Sequence, residues 1–145
     1  MSKSKAKRNK YSPEAFETSK PNEHYTRLYD SMLTSEAFMA LTSSARSVLL
    51  ILKLQFKGNY TGNTVICPYS TIQKYGLNTT TIKNALLDLS EKGFIEIEYG
   101  TLQMKGKELK RQPNKYKFID AWKSYSREKK LIGKYKAKGD KDNTS

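Results

Sequence analysis

The chain has little of what metal sites and most catalytic centres require. Its 145 residues include one cysteine, Cys67, and one histidine, His24. A single cysteine cannot form a disulfide within the chain, and these two residues cannot supply the ligands of a zinc site. Catalysis of the Ser-His-Asp or Cys-His type is not expected either, because His24 lies in a polar N-terminal stretch. We therefore expect a protein that is not an enzyme and that uses no metal and no other cofactor.

Long apolar runs are also missing. No run approaches the roughly 18 residues that cross a bilayer, and the basic N-terminus lacks the apolar stretch of a secretory signal. Hydrophobic residues make up 37% of the chain, and the mean hydropathy is −0.76. This composition is typical of one domain with polar tails. It predicts a soluble, cytoplasmic protein without a membrane partner.

Acidic residues are few relative to basic ones. The chain contains 27 Lys and Arg but 14 Asp and Glu, which gives a formal net charge of +13. Residues 1–24 carry a net +3, residues 25–104 a net +1 and residues 105–145 a net +9. The positive charge therefore lies in the flanks of a nearly neutral centre, and it favours a polyanion as partner.

Composition divides the chain into three parts. Residues 1–24 bury too little apolar surface to offset the entropy of ordering, so they are expected to form a flexible basic arm. A solvated tail that only aids solubility is the alternative. Residues 25–125 carry the periodic apolar patterns of a folded domain, and residues 126–145 are predicted to be a basic, disordered tail.

Local patterns predict the first half of the domain. A short helix is expected from about Ser35, and the apolar segment from Thr42 or Ser43 to about Phe56 predicts a central core helix. The following segment, 60–64, is expected to form a loop or turn, because it contains Gly-Asn.

A pair of helices joined by a short turn is predicted next. The first covers residues 68–75, and the second covers about 79–92. Asn78 is expected to cap the second helix by accepting a hydrogen bond from the N–H of Thr80 or Thr81. The stripe that is expected to face the core at helical spacing consists of Ile82, Ala85, Leu86 and Leu89.

The periodicity changes from helical to alternating after Gly93, which is expected to end the second helix in the left-handed conformation. Phe94 to Tyr99 and Lys115 to Ile119 both alternate and are predicted to pair as antiparallel strands. Their connection, 100–114, is long for a hairpin loop. Either the strands extend to a tip near Lys105-Gly106-Lys107, or the loop is mobile until a partner orders it.

Aromatic residues are expected around the end of the domain. Asp120 is predicted to cap a last helix, in which Trp122 and Tyr125 pack on the core. Tyr116 is expected at the edge of the core with its hydroxyl in water.

The outward face of the second helix has the side chains that base reading requires. Asn can bond an adenine edge in bidentate fashion, Lys can reach guanine acceptors or a phosphate, and Thr offers a hydroxyl and a methyl group. A threonine-rich helix start is also simply good capping, which is the alternative. The residues predicted to read bases are Thr79, Thr80, Thr81, Lys83 and Asn84.

The string GLNTTTIKNALLDLSEKGFIEIE, residues 76–98, resembles the helix-turn-helix and first wing strand of winged-helix DNA-binding proteins. The resemblance covers residues 68–99 well. It extends more loosely over residues 25–125, which look like the winged-helix domains of replication initiators and regulators of phages, plasmids and other mobile elements. It implies an α+β fold, a winged helix-turn-helix with a C-terminal β-hairpin wing, and a bacterial protein associated with the nucleoid or a plasmid.

The resemblance also implies a function and further site residues. The function is sequence-specific binding of double-stranded DNA, serving replication initiation or transcriptional control. The sequence departs from the family in its long, very basic wing and in a recognition helix without arginine. The residues expected near the DNA backbone are Tyr69, Ser70, Lys74, Asn78, Lys105, Lys107, Lys110, Arg111 and Lys115.

Other functions stay open at this point. The domain could be a protein-interaction module of a replication or segregation assembly, with basic flanks that hold nucleic acid without sequence preference. Binding to RNA is a third possibility, although no single-strand platform is recognised. A homodimer is compatible with either of the first two.

Overall fold

The computed structural model describes residues 23–56 and 60–127, which form a mixed α+β fold. The predicted arm and tail lie outside these residues, apart from their last two and first two positions. The helices are α1 (Asp30–Leu33), α2 (Glu36–Ala40), α3 (Ser43–Gln55), α4 (Tyr69–Gln73), α5 (Thr79–Glu91) and a final 3₁₀ turn (Ala121–Ser124). The strands are β1 (Tyr60–Ile66), β2 (Ile95–Glu98), β3 (Leu102–Lys105), β4 (Glu108–Arg111) and β5 (Lys115–Phe118).

The strands form two small antiparallel sheets. In the first, β5 is central, with β1 on one side and β2 on the other. Tyr116 lies opposite Val65 of β1 and Ile97 of β2, so the register runs straight across the sheet. In the second, β3 and β4 pair only with each other; we call this two-stranded unit the ribbon.

The core lies between the helices and one face of the three-stranded sheet. Helix α5 packs along α3, and α4 and β2 also contact α5. The stripe predicted on α5 is confirmed, since all four of its members are buried. The largest fully buried side chains are Tyr116, Leu49, Leu52, Ile72, Ile82, Leu86, Leu89, Ile95, Val48 and Cys67.

Several local predictions about helix ends are confirmed. Thr42 Oγ1 accepts a hydrogen bond from the Ala45 N–H at the start of α3, at 3.1 Å. Asn78 Oδ1 accepts one from the Thr81 N–H at the start of α5, at 2.8 Å. Gly93 follows α5 with φ of +86°, the left-handed conformation. These features depend on neighbouring residues alone, which is why sequence could predict them.

The prediction of a loop or turn over residues 60–64 is wrong. These residues are the first part of β1, whose Thr64–Ile66 segment pairs with β5 and whose Val65 is buried. The turn signal Gly62-Asn63 is present, but pairing with a distant strand overrides local turn propensity.

Of the two alternatives for the connection between the predicted strands, the structure shows the one in which the chain continues as paired strands to a tip. The two strands pair as expected, and their connection extends into the ribbon, whose tip is at Gly106-Lys107. The predicted last helix is a single 3₁₀ turn, and the Asp120 side chain makes no capping bond there. Trp122 anchors this turn by stacking on Phe94, with ring centroids 5.9 Å apart and an interplanar angle of 5°.

The prediction for Tyr116 is wrong as well. Its side chain is fully buried, and its hydroxyl makes no hydrogen bond of acceptable geometry within the described residues. Burial raises the pKa of Tyr116 to about 12, although the nearby Asn114 side chain acts in the opposite direction. Asn114 Oδ1 already accepts a hydrogen bond from the Gly100 N–H.

Among the described residues, no helix has both the length and the apolar character needed to cross a bilayer.

Candidate nucleic-acid interface

The N-terminal half of α5 presents most of the predicted base-reading residues on one face. Thr79, Thr80, Lys83 and Asn84 are exposed. Thr80, Lys83 and Asn84 project from the side of α5 opposite its buried stripe, and Thr79 lies at the edge of this face. Leu87, one turn further along, is 44% exposed and extends this face. The face has an amide, an ammonium group, hydroxyls and methyl groups, and no carboxylate among these residues.

The threonines of this face are not equivalent. The Thr79 hydroxyl accepts a hydrogen bond from Gln73 Nε2 at 3.0 Å, which ties the first turn of α5 to α4. Thr81 is half-buried, and its N–H is the one that Asn78 caps. Thr80 is exposed. Asn78 is thus placed as a cap, so its side-chain oxygen is committed to the helix and not to a phosphate.

An acidic residue on α5 ties this helix to the start of α3. Asp88 Oδ2 accepts a hydrogen bond from the backbone N–H of Thr42, at 2.9 Å, and Asp88 Oδ1 forms an ion pair with Lys92, at 2.7 Å. Both charged side chains are largely shielded from water, at 13% and 15% exposure. The candidate face is therefore carried on a helix that is held at both its N-terminal and C-terminal halves.

The residues predicted near the DNA backbone on α4 differ in exposure. Ser70 and Lys74 are exposed. Tyr69 is half-buried and packs against the core, and burial raises its pKa. Ser70 and Lys74 are thus available to a ligand, whereas most of Tyr69 serves packing.

Four of the predicted backbone contacts belong to the ribbon and its tip. Every residue of β3 and β4 is exposed. Lys110 Nζ lies 3.5 Å from Glu108 Oε2, so part of its charge is compensated. The four cations are Lys105, Lys107, Lys110 and Arg111.

Lys115 is not in the ribbon. It lies on the outer face of the three-stranded sheet, directly opposite Glu98 of β2. On the same face Lys117 lies opposite Glu96. Opposite charges face each other across these strands, so this face is close to neutral. The structure thus separates Lys115 from the four ribbon cations among the residues predicted near the DNA backbone.

The base of the ribbon is closed by two hydrogen bonds, one between backbone groups and one to the Asn114 side chain. The Gln112 N–H donates to the Thr101 carbonyl at 2.8 Å, and the Gly100 N–H donates to Asn114 Oδ1 at 2.8 Å. A side chain at Gly100 would collide with the Gln112 carbonyl. The backbone at residue 100 and the backbone at residue 112 lie so close together that position 100 requires glycine.

Sequence patterns did not identify three features of the surface. Asp88 acts through Thr42, a long-range contact that no local motif signals. Arg27 lies 5.9 Å from the ring centroids of both Tyr25 and Tyr29, whose hydroxyls accept its hydrogen bonds and raise its pKa. Which side chains share a face of the ribbon depends on strand register, which no local pattern gives.

A second surface is apolar. Leu50 and Leu54 on the outer side of α3 are about half exposed, and so is Tyr75 beyond α4. With Ser47, Ile51 and Leu77 they line an open groove of about 320 Å³. This groove lacks charged groups among its lining residues.

No metal-binding group was found in the part of the chain that the structure describes: no three His, Cys, Asp or Glu side chains lie close enough to hold an ion. Cys67 is buried, and burial raises the pKa of its thiol.

Comparisons of the chain with protein-family models, curated proteins and solved structures each found no match. The candidate function therefore depends on the residues and geometry of α5, α4 and the ribbon.

Proposed function

We propose that the chain is a winged helix-turn-helix protein, not an enzyme, that binds double-stranded DNA with sequence preference. Helices α4 and α5 form the helix-turn-helix, and the ribbon, carried by β2 and β5, forms the wing. The order α3, β1, α4, α5, β2, β5 supports this reading, because it gives a core helix, a helix pair and a three-stranded sheet from which the ribbon extends. The process served is replication initiation or transcriptional control of a mobile element.

One observation carries this proposal: the polar N-terminal face of α5. A helix fits the major groove of B-DNA, and base edges there are read by amide, hydroxyl and ammonium groups. Lys83 and Asn84 are neighbours in sequence and both are exposed on this face, in the turn that follows the capped first turn of α5. The opposite side of α5 is fully engaged with the core, so this face is the one available to a partner.

The charge distribution supports a division of labour. Acidic and basic residues nearly cancel in residues 25–104, whereas residues 105–145 carry a net +9. Phosphate contacts supply affinity without sequence information, and base contacts supply the sequence preference. Sequence preference is then assigned to Lys83, Asn84 and the threonines, and affinity to the basic residues 105–145, which include the ribbon.

The test is selection of bound sequences from a pool of random duplex DNA, followed by affinity measurements on the enriched site. Asn84→Ala and Lys83→Ala are each expected to lower affinity for that site by about 1–3 kcal/mol and to relax its sequence preference. The matched control is Asn63→Ala, which removes the same amide from an exposed residue of β1. The control is expected to bind as the wild type does. Equal losses on specific and random duplex would contradict a base-reading role.

The apolar groove on α3 favours a second candidate function. A groove of this kind is typical of a surface that binds an apolar segment of another protein. The chain would then be an interaction module of a replication or segregation assembly, holding nucleic acid without sequence preference. Selection that enriches no motif, together with binding that falls steeply as salt rises, would favour this candidate.

A further inference from the structure

The two faces of the ribbon differ in chemistry. Residues directly opposite each other across an antiparallel pair share a face, and so do residues two apart along a strand. Met104 lies opposite Leu109, and Leu102 lies opposite Arg111, so one face carries three apolar side chains and an arginine. The other face carries the pairs Gln103–Lys110 and Lys105–Glu108.

The apolar face is open to solvent. Leu102, Met104 and Leu109 are 55%, 63% and 60% exposed. A two-stranded ribbon by itself is at best marginally stable in water, so apolar side chains on it gain most when a partner covers them. The register places these three side chains side by side, which makes them one surface.

The charges around this face indicate what covers it. Arg111 lies on the face itself and Lys107 lies in the turn at the tip, whereas Lys105 and Glu108, the pair next to that turn, belong to the opposite face. An apolar strip bordered by cations fits a polyanion that also offers apolar surface. The minor groove of a DNA duplex has both, since its walls are deoxyribose and its rims are phosphates, and proteins insert Leu and Met there.

The major groove fits this face less well. Base edges in the major groove carry hydrogen-bond donors and acceptors in every pair. Leucine and methionine would remove water from those groups and give no bond in return, which is unfavourable. The polar face of the ribbon would suit such a surface, but its Lys110 is already paired with Glu108.

The width of the ribbon has a further consequence. Its strands lie about 4.8 Å apart, so with side chains from both strands it is wider than the roughly 6 Å minor groove of undistorted B-DNA. Met104 and Leu109 come from different strands and can both enter only if the groove opens. Opening of the minor groove by apolar side chains unstacks a base step and kinks the duplex.

Building on the proposed duplex binding, we propose that the apolar face of the ribbon enters the minor groove, opens it, and bends the DNA. Met104 and Leu109 are the wedge, and Arg111 and Lys107, at the two ends of this face, hold the phosphates on either side. The ribbon then has a role beyond tracking phosphates, because it determines the shape of the bound DNA.

The test measures bending by energy transfer between fluorophores on the two ends of a duplex of roughly 30 base pairs. The sequence is the site enriched by selection, or a mixed sequence if none is enriched. The variant Met104→Ala/Leu109→Ala removes the wedge and leaves the charge unchanged. Gln103→Ala is the matched control, because it removes a neutral side chain from the opposite face of β3.

Wild type and the Gln103→Ala control are expected to bring the duplex ends closer together. The wedge variant is expected to bind an unbent duplex, with affinity lowered by roughly 10-fold and with an unchanged dependence on salt. A second variant, Met104→Thr/Leu109→Thr, keeps residues that favour strands and is expected to behave in the same way. Agreement of the two variants excludes loss of the ribbon as the cause.

Other outcomes overturn the proposal in distinguishable ways. If the wedge variants bind and bend the duplex as the wild type does, the proposed role of the wedge is wrong, and the proposed duplex binding stands. If the wild type binds no duplex, both are wrong. Sedimentation without DNA, and binding to vesicles of anionic lipid, test the other occupants. If the wedge variants lose self-association or vesicle binding while duplex bending is unchanged, a second copy or a lipid surface covers this face.

Discussion

Asp88 on α5 completes the N-terminal cap of α3 through the backbone N–H of Thr42, 46 residues earlier in the chain. In a capping box the N-cap side chain bonds the N–H of the third helical residue, and the side chain of that residue bonds the N-cap N–H in return. Thr42 performs the first half of this exchange with Ala45. Alanine cannot perform the second half, and Asp88 does so from another helix. The same hydrogen bond therefore caps α3 and positions α5.

Replacing Asp88 with alanine should lower the free energy of unfolding by about 1.5–3 kcal/mol, because a hydrogen bond to a charged acceptor is lost in a shielded place. Urea denaturation measures this loss. Asp88→Asn keeps an acceptor for the Thr42 N–H and should lose less. Lys92→Ala removes only the ion pair and should lose about 0.5 kcal/mol. If Lys92→Ala lost as much as Asp88→Ala, the ion pair would matter more than the bond to Thr42.

The base of the ribbon gives a second prediction. A Cβ at Gly100 would lie 2.6 Å from the Gln112 carbonyl carbon and closer still to its oxygen, both backbone atoms that cannot rotate away. Gly100→Ala should therefore open the ribbon at its base. Trypsin, which cuts after the ribbon lysines, should then cleave the folded protein faster than it cleaves the wild type.

Gly106→Ala is the matched control for Gly100→Ala. Gly106 has φ of +64° but open space around its Cβ position, so alanine there should cost about 1 kcal/mol through backbone strain alone. The ribbon should tolerate this change better than the collision at Gly100. Equal cleavage of the two variants would show that the contact with Gln112 is not what closes the ribbon.

The raised pKa of Tyr116 leads to a prediction about the stability of the protein at alkaline pH. Its pKa is about 12 in the folded state and about 10 in an unfolded chain, so the fold favours the neutral hydroxyl. The stability that this preference contributes is fully present below pH 10 and is lost as the pH rises from 10 to 12. The free energy of unfolding should thus fall more steeply over this range in the wild type than in Tyr116→Phe.

The same variant tests the buried hydroxyl at neutral pH. Because this hydroxyl has no hydrogen bond of acceptable geometry within the described residues, its removal takes no partner away. Tyr116→Phe should be at least as stable as the wild type in urea denaturation at pH 7. A loss of stability at that pH would show that the hydroxyl is bonded in solution.

Two predictions that failed from sequence, the loop over residues 60–64 and the Tyr116 hydroxyl in water, share one cause. The caps at Thr42 and Asn78 and the buried stripe of α5 depend on residues within a few positions of each other, and they were predicted. Strand β1 exists because Thr64–Ile66 pair with β5, which is about 50 residues later, and its own residues contain a turn signal. Without β1, β5 is an edge strand and Tyr116 lies at the margin of the sheet. With β1, β5 is central and Tyr116 is enclosed between Val65 and Ile97.

The candidate site shows the same difference between features that depend on nearby residues and features that depend on strand pairing. The outward face of α5 could be read from helical spacing, because its stripe is regular. The two faces of the ribbon could not, because a shift of one residue in register would exchange them. The tip at Gly106-Lys107 sets that register and places Met104 opposite Leu109.

The ribbon cations give the last prediction, on salt dependence. Each phosphate contact adds about 0.9 to the slope of log affinity against log salt on B-DNA. Lys105→Ala/Lys107→Ala should therefore weaken binding to all duplexes alike and reduce this slope by about 1.8. Lys117→Ala is the control, because Lys117 lies on the sheet face opposite Glu96, away from the ribbon. Its removal should leave the slope nearly unchanged. If the control reduced the slope as much per charge as the ribbon lysines do, the ribbon would act only through net charge.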